Sequence, residues 1–269
     1  PFSFSFPPMK ALCASSSPWL SLNRSSSFIV RVKFTLPLYD PSPTTAPLPT
    51  CTKLHKVLNA TNMQHTSTNN VVVPESLSHL DDSIRNRMVR HHKWIRTNGK
   101  EGRPANLEGC DLAGVNLRGV NLSGMSIKSS NLESCNFNDT ICLFTFFQES
   151  KLSNASFRNA DLDAANFHHC VLKEADFRGA KLRPIETASD DPNVKAKRWR
   201  PNFSNAILSG SDFSGAYVSG AYFRGADLTG IKVKDTVFIG CDFDDGVEEE
   251  LKKGGAVFKA PKPERDPKG

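Results

Sequence analysis

The sequence predicts an all-β fold in which a short unit repeats along one axis, a solenoid closed by short α-helical caps. Every fifth residue from Leu107 to Leu182 is apolar at fifteen of sixteen positions, the exception being Cys142. A second series with the same spacing runs from Phe203 to Phe243. Because a period of five fits neither the repeat of an α-helix nor that of a strand, a repeat architecture is indicated.

The unit around each apolar centre has a consensus. A small residue stands two positions before the centre, Asp or Asn just before it, and often Gly two after it, as in ANLEG, ADFRG and ADLTG. This pattern resembles the pentapeptide-repeat family over 25 units, roughly residues 105–245. The resemblance implies a right-handed quadrilateral parallel β-helix of about six turns, in which each unit forms one side.

A coil of this kind stacks the side chains of successive turns on one another. If four units make one turn, side chains twenty residues apart lie on the same side, and neighbouring turns are about 4.8 Å apart, so like side chains nest. We therefore expect two ladders to form much of the core. The leucine ladder contains Leu112, Leu132, Leu152, Leu172, Leu208 and Leu228, and the phenylalanine ladder contains Phe147, Phe167, Phe203, Phe223 and Phe243.

Residues 1–74 are expected to be a disordered leader. Residues 1–62 are rich in Ser, Pro and Phe and contain one acidic residue, Asp40, a composition that does not support a packed core. The stretch from Met9 resembles an organellar transit peptide, which predicts a chloroplast or another organelle. The alternative is upstream sequence translated in error before a start at Met63, which predicts a cytoplasmic protein.

Helices are predicted at both ends of the coil. An amphipathic helix in residues 75–99 begins at Pro74-Glu75, ends at Asn98-Gly99 and caps the open N-terminal end, with Trp94 near the first turn. In residues 246–269, VEEELKK after Gly246 predicts a short capping helix, and the rest a loose tail. A homodimer through the C-terminal end remains open if that helix leaves Phe238 and Phe243 uncovered.

The repeat body, residues 100–245, has one interruption. Phe203 follows Leu182 by 21 residues instead of five, so sixteen residues are inserted. If they formed a turn of their own, Pro192 and Lys197 would lie in the core, where neither is tolerated. We therefore expect a surface loop at 183–202, with Phe203 continuing the ladder of Phe167.

Charge distribution, cysteine positions and hydropathy limit the classes of function and the compartments that fit the chain. The net charge is +6, but residues 1–100 carry +8, residues 101–245 carry −3 and residues 246–269 carry +1. The seven cysteines lack metal-site spacing, and most fall at small inward or central positions, which predicts buried thiols in a reducing compartment. No apolar run approaches 18 residues, so no membrane span is expected.

The inserted loop contains the candidate interaction residues. Basic side chains with an aromatic one are typical of a site for nucleic acid or an acidic partner, whereas the alternative is a solvated loop whose Trp199 folds back on the coil wall. The candidates are Lys195, Lys197, Arg198, Trp199 and Arg200.

Other polar residues have structural interpretations. The histidine pairs His91-His92 and His168-His169 have no further ligand at metal spacing and are interpreted as solvated or capping residues. The recurrent Asp and Asn before the centres are expected to accept backbone N–H groups at turns. No catalytic, cofactor-binding or metal-binding residue is predicted.

The sequence therefore predicts a non-enzymatic scaffold that binds an unidentified protein, with nucleic acid an improbable partner. The resemblance also implies an alternative, because one subset of the family mimics DNA and binds gyrase, a type II topoisomerase. Such mimicry requires a strongly negative surface, whereas the body carries only −3.

Overall fold

A computed structural model describes residues 80–187 and 197–261. They form a right-handed four-sided parallel β-helix in which each unit bridges the unit one turn further on, as in the pair Asn106 and Ser126 and the pair Ser126 and Phe146. The predicted solenoid is confirmed. The predicted leader, Lys195 and the tail beyond residue 261 lie outside the described residues.

Stacked rings run along the interior. Phe147 stacks on Phe167 with ring centroids 4.8 Å apart, whereas Phe157 on the neighbouring side meets Phe167 edge-on at 5.5 Å. Both arrangements are favourable for aromatic pairs, so adjacent ladders support one another. All the predicted ladder residues are buried except Leu228, which is half-buried.

The small polar residues two positions before the centres find partners in the interior. The hydroxyls of Ser130 and Thr145 donate to the carbonyls of Leu107 and Leu122 in the preceding turn, at 2.8 and 3.0 Å. A buried hydroxyl with such a partner avoids the cost of an unsatisfied polar group. The Ser and Thr of the consensus therefore fit the core as well as Ala does.

The corners use the short polar residues as predicted. The Oδ1 atoms of Asn202 and Asp212 accept from the backbone N–H groups of Ser204 and Ser214, both at 2.9 Å. The residue two after most centres has positive φ, as at Gly109 (φ 70°). Glycine is favoured there because a side chain is strained in the left-handed region.

Helix α1, Asp82–Arg96, covers the N-terminal end of the core through Ile84 and Met88. The helix begins at Asp82, where Asp81 caps it by accepting from the backbone N–H of Ser83. The predicted start at Glu75 lies outside the described residues. A side-chain acceptor for the first N–H groups determines where a helix begins.

The fourth side of the coil contains the units centred on Leu122, Cys142, Leu162, Leu182, Val218 and Phe238. Its later turns extend into a parallel sheet of four strands, β1 Lys181–Leu182, β4 Tyr217–Ser219, β5 Val237–Ile239 and β6 Val257–Lys259, in that order. The other two strands, β2 Ile185–Thr187 and β3 Lys197–Trp199, pair separately.

The C-terminal end is closed by helix α2, Val247–Lys253, as predicted, but the tail after it is not loose throughout. Strand β6 continues the fourth side, and Phe258 stacks on Phe238 at 5.3 Å. Phe238 and Phe243 are both buried. A C-terminal homodimer is expected only if these two rings are left uncovered, and they are covered. Leu228 is half-buried because α2, rather than another unit, follows it on its side.

No helix in the described ranges is long and apolar enough to cross a membrane.

Candidate interaction surface

The inserted segment leaves the coil as a β-hairpin instead of an irregular loop. β2 and β3 run antiparallel, with Ile185 opposite Trp199 and Thr187 opposite Lys197. Lys197 is exposed, so the alternative that places it inside the coil is excluded. Two paired strands therefore lie within the predicted surface loop at 183–202, and its residues 188–196 lie outside the described residues.

The hairpin lies over a second apolar cluster on the outside of the coil, which we call the outer cluster. Trp199 meets the ring of Phe144 edge-on at 6.0 Å, which places its indole on the coil wall as the second sequence interpretation expected. The indole Nε1–H donates to Thr187 Oγ1 at 3.2 Å. The buried members of the cluster are Trp94, Leu143, Phe144, Phe146, Ala164 and Ile185.

Phe144 is the unusual member of this cluster. It occupies the repeat position that favours glycine, with φ 52°, and its side chain is completely buried. A bulky residue in the left-handed region is strained, so its packing under the hairpin has to offset that strain. An aromatic at a glycine position was the sequence signal for this cluster.

An ion pair between the exposed Arg183 and the buried carboxylate of Asp163 lies at the start of the hairpin. Asp163 accepts from the backbone N–H of Arg183 at 2.7 Å and from its guanidinium Nε and Nη2 at 2.9 and 2.7 Å. Burial raises the pKa of Asp163 to about 6, although the bonds from Arg183 act in the opposite direction. The pair ties the hairpin to the preceding turn.

The predicted basic residues that the structure describes each contact a different partner. Lys197 Nζ lies 4.0 Å from the centre of the Trp199 ring, and Arg198 faces Glu186 across the hairpin at 3.8 Å. Arg200 donates to the carbonyls of Gly220 and Gly240. Its guanidinium also lies 3.9 Å from the centre of the Tyr222 ring. Lys195 lies outside the described residues, so these contacts concern the other four members of the predicted set.

An exposed row of apolar side chains lies next to the hairpin on the fourth side. In-register pairing places Tyr217, Val237 and Val257 one above another, and we call this row the apolar stripe. Tyr217 is 41% exposed and Val257 is 43% exposed. Lys181 pairs with Tyr217 and Lys259 belongs to β6, so charged residues border the stripe. Sequence reasoning missed it because these positions vary between polar and apolar residues along the repeat.

Several acidic side chains of the coil are paired with arginines. Arg118 contacts Asp139 at 2.9 Å and Arg224 contacts Asp242 at 2.7 Å. Burial acts to raise the pKa of Asp176, but the bonds from its arginine neighbours outweigh it and lower that pKa to about 2. The carboxylate of Asp176 therefore stays ionised, and the charges of Asp139, Asp176 and Asp242 are each locally neutralised by an arginine.

The described cysteine and histidine side chains are mostly buried or hydrogen-bonded to the backbone. Burial raises the pKa of Cys135 to about 11 and that of Cys142 to about 12, so both remain protonated at neutral pH. Burial lowers the pKa of His91 to about 4, and His91 Nδ1 accepts from the backbone N–H of Ala105 at 3.3 Å. His168 Nδ1 lies 2.8 Å from the carbonyl of Ser204. Within residues 80–187 and 197–261, no group of three His, Cys, Asp or Glu side chains is placed to hold a metal ion.

A sequence profile described as pentapeptide repeats matches the chain in eight copies, over residues 105–141, 147–183 and 200–230. The first gap, between 141 and 147, contains Leu143, Phe144 and Phe146 of the outer cluster. The second gap, between 183 and 200, contains the hairpin. The chain therefore departs from the family profile where the wall and hairpin pack together. No curated protein matches the chain.

Similar solved structures include HetL, a pentapeptide repeat protein involved in heterocyst differentiation regulation from the cyanobacterium Nostoc. It is 16% identical, with 63% of this chain and 93% of that chain covered and a TM-score of 0.29. A trypsin-treated form of QnrB1, a plasmid-mediated fluoroquinolone resistance protein, is 19% identical, with 57% and 98% covered and a TM-score of 0.29. A pentapeptide repeat protein from the Arabidopsis thaliana thylakoid lumen is 23% identical, with 56% and 81% covered and a TM-score of 0.21. At these scores the likenesses carry no argument about function.

Proposed function

The chain belongs to the pentapeptide-repeat family, and we propose that it is a non-enzymatic scaffold that binds a protein partner through the fourth side of its coil. The apolar stripe is the observation that carries the proposal. Tyr217 and Val257 are the large hydrophobic residues that stay exposed among the described residues. An exposed aromatic among aliphatic neighbours, bordered by charged residues, is typical of a protein-binding surface.

The contacts of the basic residues favour a protein over nucleic acid. A groove for a nucleic-acid backbone needs several cations free to contact phosphates. In the described part of the hairpin, Arg198 faces a carboxylate and Arg200 is bound to carbonyls and to the Tyr222 ring. Lys197 and the edge of Trp199 then form the margin of a protein-binding surface.

The surroundings of the titratable groups support a role without catalysis. An active site requires convergent acidic, basic or nucleophilic groups in a cleft. Here the buried thiols have raised pKa values, His91 has a lowered one and binds a backbone N–H, and Asp163 is bound to Arg183. Each of these perturbed groups has a structural partner or a place in the core.

The ion pairs weigh against the DNA-mimic alternative. Gyrase binding by mimicry needs carboxylates that present unneutralised charge. Asp139, Asp176 and Asp242 each contact an arginine on the coil surface. The alternative therefore gains no support from the charge arrangement.

Site-specific photo-crosslinking tests the proposal. A benzoylphenylalanine is placed at Tyr217 in the full-length chain, and at Ile207 as the matched control, since Ile207 has the same repeat position and lies on the opposite side. We expect a discrete protein adduct from position 217 in native lysate and none from position 207. Equal adducts from both positions, or adducts from 207 alone, would contradict the proposed surface.

A further inference from the structure

A groove at the N-terminal end of the coil is separate from the apolar stripe. It lies between α1 and the first repeat unit, has a volume of about 460 Å³, and its lining includes Arg87, Arg90, Arg103 and Glu108. Its floor is the chain segment 104–106. We call it the arginine groove. The volume falls within the range of about 300–1,000 Å³ usual for small-molecule sites.

The backbone holds this groove in a fixed shape. Gly102 has φ 76°, and a Cβ atom there would lie 2.2 Å from the carbonyl oxygen of Arg90. Only glycine lets the chain cross α1 this closely. The backbone N–H of Arg103 then donates to the Arg90 carbonyl at 3.3 Å, so the two arginines come from segments in direct contact.

Two further bonds fix the floor against the helix. Arg87 Nη1 donates to the carbonyl of Asn106 at 3.1 Å, while its Nη2 donates to Ser83 Oγ at 2.9 Å. The buried His91 receives the N–H of Ala105. Arg87 is thereby held in place, and the segment from Arg103 to Asn106 is bound to α1 along its length.

The groove has excess positive charge. Among the described residues, no carboxylate forms an ion pair with Arg87, Arg90 or Arg103. Arg90 uses only Nε on the carbonyl of Asn86, and the guanidinium of Arg103 makes no bond within the described part of the chain. Three guanidinium groups and the carboxylate of Glu108 leave an excess of two positive charges, which complements a dianion.

We propose that the arginine groove binds a phosphate monoester. Such a group carries about −1.5 to −2 charges at neutral pH, close to the excess on the groove. The planar guanidinium matches two phosphate oxygens at once, a geometry that lysine does not offer. The groove is larger than a phosphate ion needs, so it also accommodates the small molecule or side chain that bears the phosphate. This proposal is independent of the partner surface on the fourth side.

Titration calorimetry with the full-length chain tests the assignment. The probes are O-phosphoserine, inorganic phosphate and unmodified serine. We expect O-phosphoserine to bind and serine not to bind. If inorganic phosphate binds as tightly as O-phosphoserine, the groove recognises the phosphate alone. If O-phosphoserine binds more tightly, the groove also recognises the serine that carries the phosphate. Both outcomes support the site, and no heat from either phosphate probe at millimolar concentration overturns it.

Substitutions place the binding in the groove. Arg90→Gln and Arg103→Gln should each weaken O-phosphoserine about tenfold, and Glu108→Gln should strengthen it, because charged bonds to the phosphate are lost or a repulsion is removed. The backbone bond from Arg103 survives its substitution, and circular dichroism checks that the variants fold. Arg224→Gln on the coil is the matched loss of charge and should leave affinity unchanged. If Arg224→Gln weakens binding as much as the groove variants, the site is refuted.

Discussion

The ring of Phe203 lies on the ring of Phe167 with centroids 4.8 Å apart and planes 6° from parallel. Phe147 and Phe167, which no insertion separates, have the same centroid distance and an angle of 5°. The hairpin therefore leaves the coil without disturbing the stacking. Its anchors lie outside, at the outer cluster and at the Asp163 and Arg183 pair.

Trp199→Ala should lower the free energy of unfolding by about 2 kcal/mol, because the half-buried indole leaves a gap over Phe144. Trp199→Phe should lower the free energy of unfolding less, since an aromatic ring remains and the main loss is the hydrogen bond to Thr187. Urea denaturation measures both. Lys197→Ala keeps the indole and serves as the control, with an expected change below about 0.5 kcal/mol. Equal losses for Lys197→Ala and Trp199→Ala would refute an anchoring role of the indole.

Phe144→Gly should destabilise the protein by about 2 kcal/mol although it relieves a positive φ, because the loss of a buried ring exceeds the strain of about 1 kcal/mol. Glu174 has the same repeat position, with φ 57°, and is exposed. Glu174→Gly should therefore be neutral or slightly stabilising. A thermal midpoint that rises for Phe144→Gly would contradict the packing assigned to Phe144.

Arg183→Met should cost about 3 kcal/mol, since it leaves the buried Asp163 without its charged partner. The double variant Asp163→Asn with Arg183→Met should recover part of the loss, because no buried charge is left alone. Arg178→Met removes an exposed arginine that contacts Asp176 and should change stability little. Additive losses in the double variant would show that the two residues act separately.

Acidification should weaken the N-terminal cap through His91. Burial, and after it the charge of His92, lowers its pKa to about 4, whereas an unfolded histidine titrates near about 6.5. Between these values the unfolded chain binds the proton and the folded one does not. The stabilisation is thus complete above about pH 6.5 and is lost as the pH falls towards 4.

Urea denaturation at pH 7 and pH 5 measures this effect. From pH 7 to pH 5, the free energy of unfolding of the wild type should fall by about 2 kcal/mol more than that of His91→Asn. Asparagine keeps an acceptor for the Ala105 N–H but does not titrate. His169→Asn, at an exposed position, should retain the wild-type difference. A wild-type difference unchanged in His91→Asn would locate the pH dependence elsewhere.

Much of the coil was predictable because each repeat position has one physical requirement. The centres fill the interior, the small residues lie beside them, and the Asp and Asn residues bind the N–H two residues on, as Asn202 does. The continuity from Phe167 to Phe203 followed from excluding Lys197 and Pro192 from the core. These inferences depend on short-range geometry that the period of five determines.

The missed features depend on contacts between distant segments. Strand β6 stacks Phe258 one turn after Phe238, but α2 lies between them in sequence and masks the period. The outer cluster unites Trp94, Phe144 and Trp199 from three separate segments. The arginine groove likewise requires Gly102 to bring Arg103 against α1.

The binding affinity of the crosslinked partner for stripe variants tests the scaffold account most directly. Tyr217→Ala should raise the dissociation constant at least about tenfold, because an aromatic anchor carries much of the energy of such an interface, and Val257→Ala should raise it less. Ile207→Ala on the opposite side should leave it unchanged. A partner that binds Tyr217→Ala as tightly as the wild type would contradict the claim that the fourth side is the binding surface.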